Sequence, residues 1–239
     1  MMSKTCGCNH CHNKLCIYKV PIFSSLDSDE LEKIASLIVH KEYKKGEFIF
    51  KVGDKIDGII IMNEGSAKAL KYTGEGREQI LYVFLEGDFF GEQYLLSNEK
   101  STYTVEALSP VKVCMLMKDS YKELLYQYPK IGVKVIEELG SRLTRLENTL
   151  QSMGVRSVDA RIGSLLLEYS KKYGKVVVEG ELISLPLSRE GIANYLGIAR
   201  ETLSRKLSSL ENDGIIRTIN NKSLLILNKE ELMQFAGVE

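Results

Sequence analysis

Apolar positions along this chain follow three rhythms, and each predicts a different kind of element. From about residue 41 to 118, apolar runs of strand length, such as Ile59 to Met62, alternate with Gly46, Gly53, Gly58, Gly65, Gly74, Gly76, Gly87 and Gly91. Short strands between regularly placed glycine turns predict an antiparallel barrel or sandwich. From 130 to 153 the rhythm changes. Ile136, Leu139, Leu143, Leu146, Leu150 and Met153 follow steps of three and four, the seam of a helix with a period of about 3.5 residues. A stripe this narrow predicts a parallel dimerisation helix, because burial inside a globular domain asks for a broader face. Residues 155–173 predict a second amphipathic helix, with Ile162, Leu165, Leu166 and Tyr169 inward. Lys171 and Lys172 fall in its last turn, before Gly174. Ahead of the strands, Asp27, Ser28 or Asp29 can cap a short helix carrying Leu31, Ile34, Leu37 and Ile38 on one face. A length of 239 residues suits two compact domains. No linker rich in proline, glycine or serine separates them, so the long helix is expected to connect them.

Residues 186–213 carry a tighter arrangement. Ser188 is placed to cap a short helix that turns Ile192, Ala193 and Leu196 inward. Ala193 is small where two helices must approach closely. Gly197 supplies the tight turn, and Ile198 plugs the angle between helices. A second helix then buries Leu203, Leu207 and Leu210 and leaves Arg200, Glu201, Ser204 and Arg205 on its exposed N-terminal part. In a helix-turn-helix, those first-turn residues reach base edges in the major groove. Arg205 can bond O6 and N7 of a guanine. Glu201 can accept from a cytosine amino group, and Ser204 can serve several bases. Thr202 and Lys206 are better placed for phosphate. After Gly214, the segments Ile215–Thr218 and Ser223–Leu227 flank Asn220-Asn221 in the pattern of a wing, with Lys222 at its tip.

Charge adds little. The chain holds 32 basic and 32 acidic residues, a formal net charge of zero. Residues 186–222 hold six basic groups against four acidic ones. Binding to double-stranded DNA therefore rests on the order helix, glycine, helix, wing, and not on net charge. No apolar run approaches the roughly 18 residues that cross a bilayer. The N-terminus lacks the apolar region of a secretory signal. No membrane partner is expected, and the cytoplasm is the default location.

Four of the five cysteines, Cys6, Cys8, Cys11 and Cys16, crowd into a polar opening segment without periodicity; the fifth, Cys114, is far away in sequence. In a reducing compartment, clustered cysteines more often bind metal or do redox work than form disulfides. Four thiolates are what a [4Fe-4S] iron–sulfur cluster requires. His10 and His12 lie among the cysteines, and Cys/His mixtures suit zinc. Cys114, taken alone, reads as a buried small apolar residue.

Glu201-Thr202-Leu203-Ser204-Arg205 resembles the recognition helix of the CRP/FNR superfamily of transcription regulators. The region with Gly46, Gly53, Gly65, Gly87 and Phe90-Gly91-Glu92 is similar to that superfamily's cyclic-nucleotide-type β-roll. The resemblance runs from about Val20 onward and implies an α+β chain. Its parts would be a cysteine-rich arm over 1–18, a β-roll sensor domain over 19–128, a dimerisation helix over 129–153 and a winged helix-turn-helix domain over 154–239. It implies a homodimer on a two-fold-symmetric DNA site, with RNA polymerase as a further partner, and no enzyme. The Glu-x-x-Ser-Arg order resembles the FNR branch and implies TTGAT-like half-sites. Ala199 departs from relatives that carry Ser or Thr as the helix cap. A lost cap costs about 0.5–2 kcal/mol and does not prevent docking.

The switch is read from the same resemblance. Cys8-Asn9-His10-Cys11 followed by Cys16 resembles the cysteine arm of FNR-type oxygen sensors, and Cys114 falls near the end of the β-roll, where that family places its fourth ligand. The resemblance implies a 4Fe–4S cluster on Cys8, Cys11, Cys16 and Cys114, with Cys6 as a substitute ligand, and a response to oxygen or redox state. One spacing departs: four residues separate Cys11 and Cys16, where the best-known pattern has five. A cyclic nucleotide such as cAMP is not expected. Relatives that bind it hold the cyclic phosphate with an Arg-Ser or Arg-Thr pair, where this chain reads Asn98-Glu99-Lys100-Ser101-Thr102-Tyr103-Thr104. Lys100 cannot reproduce a guanidinium fork, and Tyr103 is bulky where a small residue is usual. One alternative is a regulator without a cluster, switched by zinc, thiol oxidation or a small ligand. Another is an iron–sulfur electron carrier, which would leave the Glu201–Arg205 helix without a purpose.

Overall fold

The computed structural model describes residues 20–24, 26–97, 99–155 and 157–237. The chain divides into two compact units, one holding the chain to Lys71 with Leu81–Thr144, the other Tyr72–Ile80 with the chain from Arg145.

The first unit opens on a 3-10 turn, Pro21–Phe23, and helix α1, Ser28–Ser36. The Asp27 carboxylate accepts from the N–H groups of Asp29 and Glu30, and the Glu30 carboxylate accepts from the Asp27 N–H. This reciprocal cap starts the helix. Leu31 and Ile34 are buried. The helix ends sooner than its apolar spacing predicts: Leu37 is the C-cap, and Ile38 opens strand β1, Ile38–Tyr43. Ile38 and Val39 are β-branched, and six register pairs with a later strand, Val111–Met117, outweigh a further helical turn.

The strands that follow are β2 Phe48–Phe50, β3 Gly58–Glu64, β4 Ala67–Tyr72, β5 Glu78–Phe84, β6 Phe89–Phe90, β7 Thr104–Ala107 and β8 Val111–Met117. They form sheets ordered β1-β8-β3-β6 and β2-β7-β4-β5. Side chains alternate along β3, and so does their destination. Ile60 and Met62 enter a core with Phe50, Phe84, Phe90 and Tyr103. Ile59 and Ile61 enter a second core with Ile22, Phe23, Ile34, Leu116 and Ile131. The continuous run Ile59 to Met62 thus reflects burial on both faces. Strand β8 behaves alike: Val111 and Val113 join the first core, Cys114 and Leu116 the second. Helix α2, Glu92–Ser97, interrupts the strand region without a periodic signal. Helices α3, Lys118–Gln127, and α4, Pro129–Val155, follow β8. Ile131 and Val135 of α4 are buried in the second core. The division between units falls inside α4, after Thr144.

The second unit contains α5 Val158–Tyr173, β9 Lys175–Val177, β10 Gly180–Ser184, α6 Arg189–Leu196, α7 Arg200–Asn212, β11 Ile216–Asn220, β12 Ser223–Ile226 and α8 Lys229–Ala236. Its sheet is ordered β11-β12-β10-β9. A Cβ on Gly163 of α5 would lie 2.8 Å from the Ala236 Cβ of α8, so glycine sets how closely these helices approach. Lys229 Nζ donates to Glu181 Oε2 at 2.8 Å and to Ser170 Oγ at 2.9 Å, while Ser170 Oγ donates to Glu181 Oε1 at 2.8 Å. Burial alone would raise the Glu181 pKa. The hydrogen bonds from Lys229 and Ser170, with the Lys229 charge, outweigh it and hold the carboxyl below its ordinary value.

Candidate nucleic-acid interface and thiol site

Ser188 Oγ accepts from the Gly191 N–H at 3.1 Å and starts α6. Ile192, Ala193 and Leu196 are buried beneath it. Gly197 adopts φ +66° and ψ +38°, the left-handed conformation that glycine tolerates best. The Ile198 N–H bonds back to the Ala193 carbonyl at 3.0 Å. Helix α7 begins two residues later. Ala199 stands at its N-cap with extended backbone and no side-chain hydrogen bond. Leu203, Leu207 and Leu210 are buried, Arg200, Glu201 and Arg205 are exposed, and Thr202 and Ser204 are half-buried. An Arg205 terminal nitrogen lies 3.5 Å from Thr202 Oγ1.

Lys206 is placed differently. Its Nζ donates to the Asp159 carboxylate at 2.8 Å, in the first turn of α5. No local signal in the sequence marks Asp159, because the partners lie 47 residues apart. Arg161 donates from Nη1 to the Leu196 carbonyl at 2.7 Å, satisfying a carbonyl at the end of α6. The wing is β11 and β12, paired antiparallel around residues 221–222. Asn220 Oδ1 accepts from the Lys222 N–H at 2.8 Å, an Asx turn that holds the tip. Glu211 at the end of α7 accepts from the Thr218 N–H at 2.9 Å, fixing the wing to that helix. Arg200, Arg205 and Lys222 are exposed cations of this surface.

Helix α4 exposes two residues of the predicted seam, Ile136 and Leu143, with Val133 as a further exposed apolar residue. Val133, Ile136 and Leu143 are exposed by 56%, 70% and 58%, with exposed Gly140 between the last two. Leu139, expected in the seam, packs partly against the core of its own unit. The side chains of Leu146, Leu150 and Met153 lie outside the described residues.

Cys6, Cys8, Cys11 and Cys16, with His10 and His12, also lie outside the described residues. Cys114 is fully buried on β8, opposite His40 of β1 and Ile61 of β3. Its Sγ lies 3.5 Å from His40 Nδ1. Register across β1 and β8 creates this pair, which the sequence alone does not reveal. Val20, Ile22 and Phe23 are buried in the same core as Cys114. Tyr121, in that core, has its phenol pushed up to about 12, first by burial and then by the Glu92 charge. Among the described residues no group of three or more His, Cys, Asp or Glu could hold a metal ion.

Inside the roll, Tyr103 is buried with its ring centroid 5.6 Å from Phe50, 6.3 Å from Tyr82 and 6.1 Å from Tyr94. Tyr94 Oη accepts from the Thr102 N–H at 3.2 Å, and Ser101 Oγ donates to the Tyr103 carbonyl at 2.6 Å. Burial raises the Tyr94 pKa, but hydrogen bonds from Ser101, Thr102 and Gln93 outweigh it and the net shift is downward. Residues 101–103 are thus held by contacts with Tyr94 and with one another. Among the described residues, no helix is long and apolar enough to cross a membrane.

Residues 40–128 match the cyclic nucleotide-binding domain, and residues 160–235 match the Crp-like helix-turn-helix domain. The chain belongs to the Crp/Fnr family. The fumarate and nitrate reduction regulatory protein of Vibrio cholerae is 26% identical over 97% of this chain and 92% of its own length. The transcriptional activator protein FnrL of Cereibacter sphaeroides is 25% identical over 88% of this chain and 86% of its own. The structure of FixK2 from Bradyrhizobium japonicum superposes with a TM-score of 0.74 at 25% identity, covering 83% of this chain and 96% of that one. As a Crp/Fnr chain, the protein is a DNA-binding transcription regulator and not an enzyme, and its family implies a dimer. The fold agrees with the α+β order expected: a β-sheet domain of cyclic nucleotide-binding type, helices, and a C-terminal helix-turn-helix.

Proposed function

We propose that this Crp/Fnr regulator responds to oxygen or redox state through an iron–sulfur cluster and reads TTGAT-like half-sites as a homodimer. One observation carries the reading: Cys114 shares a buried core with Val20 and with Ile131 and Val135 of α4. Val20 follows Cys16 by four residues. The cysteine arm therefore lies next in sequence to a residue of the core that holds Cys114. The Vibrio cholerae relative's name, which refers to fumarate and nitrate reduction, supports a redox-linked input.

Cys8, Cys11, Cys16 and Cys114 would hold the cluster, with Cys6 as a substitute. When bound there, a 4Fe–4S cluster would supply an oxygen-labile cross-link between these thiolates. Held there, the arm keeps Val20, Ile22 and Phe23 seated in the core that also takes Ile131, Val135 and Leu139. Helix α4 then offers Val133, Ile136 and Leu143 to a second copy, and Gly140 lets the two helices come close. Pairing brings two α7 helices to successive major grooves, about 34 Å apart. Glu201, Ser204 and Arg205 read base edges there, while Arg200, Thr202 and Lys222 meet the phosphate backbone. Lys206 stays with Asp159 and sets how α7 rests on α5. Losing the thiolate ligation releases the arm, loosens the shared core and weakens pairing.

Metal analysis after anoxic purification tests this. Iron and acid-labile sulfide in the ratio of one 4Fe–4S cluster per chain are expected. Stoichiometric zinc without iron, or no metal at all, would sink the reading.

A further inference from the structure

We infer that His40 is a positioning residue for Cys114, donating a hydrogen bond from Nδ1–H to the ligating sulfur and setting how firmly the cluster is held. The inference rests on the cluster reading above.

The two residues face each other across β1 and β8, and register pairs on either side, from Ile38 with Leu116 to Tyr43 with Val111, fix their separation. Cys114 Sγ and His40 Nδ1 are 3.5 Å apart, within reach of a sulfur hydrogen bond. Cys114 is fully buried among Val20, Ile22, Phe23, Leu116 and Ile131. A thiolate in such apolar surroundings is costly unless it is ligated and hydrogen-bonded. Ligation leaves negative charge on the sulfur, and a donor aimed at it lowers that cost. Hydrogen bonds to ligating sulfurs also shift the reduction potential of iron–sulfur centres. His40 is half-buried on an edge strand, and in the tautomer with the proton on Nδ1 its ring donates to the sulfur. The arm's own histidines are not required for this role.

The test compares wild type with His40→Leu, which removes the donor, and His40→Asn, whose amide N–H falls near the Nδ1 position. The thermal midpoint of each apoprotein checks that the strand pair is intact. Each protein is purified without oxygen. Iron content, resonance Raman bands of the iron–sulfur stretches, and the decay of visible absorbance on adding aerated buffer are then recorded. Outer-shell partners of metal ligands typically carry about 10–100-fold in metal affinity, so His40→Leu should lose its chromophore roughly 10-fold faster. Its stretching bands should shift, and His40→Asn should recover most of both effects. Identical decay and bands in loaded wild type and both variants would overturn the role of His40 alone. Equal loss in the Leu and Asn variants would also overturn it. A wild type without iron would overturn this inference together with the cluster reading.

Discussion

Lys206 Nζ lies 2.8 Å from the Asp159 carboxylate, so a cation of the recognition helix is engaged with the first turn of α5. Both side chains are more than a third exposed or nearly so, and pairs of that kind contribute about 1 kcal/mol or less. The consequence is for DNA binding. Removing one cation that neutralises a phosphate lowers the slope of log affinity against log salt by about one. Lys206→Met should leave that slope unchanged, whereas Arg200→Ala and Lys222→Ala should each reduce it. Binding titrations across a salt series check this, and a slope change in Lys206→Met matching the other two would contradict it.

Ala199 leaves α7 without a side-chain cap although its backbone, φ −70° and ψ 143°, is already that of a cap residue. Ala199→Ser should therefore stabilise the C-terminal unit by about 0.5–2 kcal/mol. Denaturant unfolding of the two proteins reads the difference directly.

Glu181 gives this unit a pH dependence. Its carboxyl is held below the ordinary value of 4.5 by Lys229 and Ser170, against the opposing effect of burial. A depressed carboxyl binds protons more readily unfolded than folded, so its stabilisation is full above 4.5 and fades as pH drops through the folded value. Thermal unfolding from pH 6 down to about pH 3 should show this loss. Lys229→Met should flatten the curve, by removing stability at the upper end rather than adding it at the lower.

The exposed stripe on α4 separates two kinds of apolar residue. Ile136→Glu or Leu143→Glu should weaken dimerisation with little change in the unfolding of the monomer. Leu139→Ala should do the reverse, and by less than the roughly 2–5 kcal/mol of a fully buried leucine. Sedimentation at several concentrations, beside unfolding curves, distinguishes the two outcomes.

Ser188, Gly197 and the spacing of Leu203, Leu207 and Leu210 are local signals, so the helix, turn and helix were legible in the sequence with their buried faces. The glycine-bounded strands were legible too, since each carries its turn beside it. Ile38 misled because helix and strand both explain one apolar residue, and only pairing with Leu116 decides between them. Leu139 continues the seam by spacing, but which side of α4 meets the core depends on strands folded far upstream. His40 opposite Cys114 and Asp159 beside Lys206 depend on register and tertiary packing. Helix α8 carries local signals of its own: Asn228 accepts from the Glu231 N–H, acidic residues stand in the first turn, and Gly237 closes the last.

Cys114 is the residue through which an oxygen-labile arm would govern DNA reading. The most direct measurement is DNA affinity for a palindrome of TTGAT half-sites, by mobility shift, for wild type and Cys114→Ser, without oxygen and after exposure to air. The wild type should bind tightly as a dimer only without oxygen, and Cys114→Ser should bind weakly in both conditions. Wild-type affinity that neither air nor Cys114→Ser alters would contradict the account.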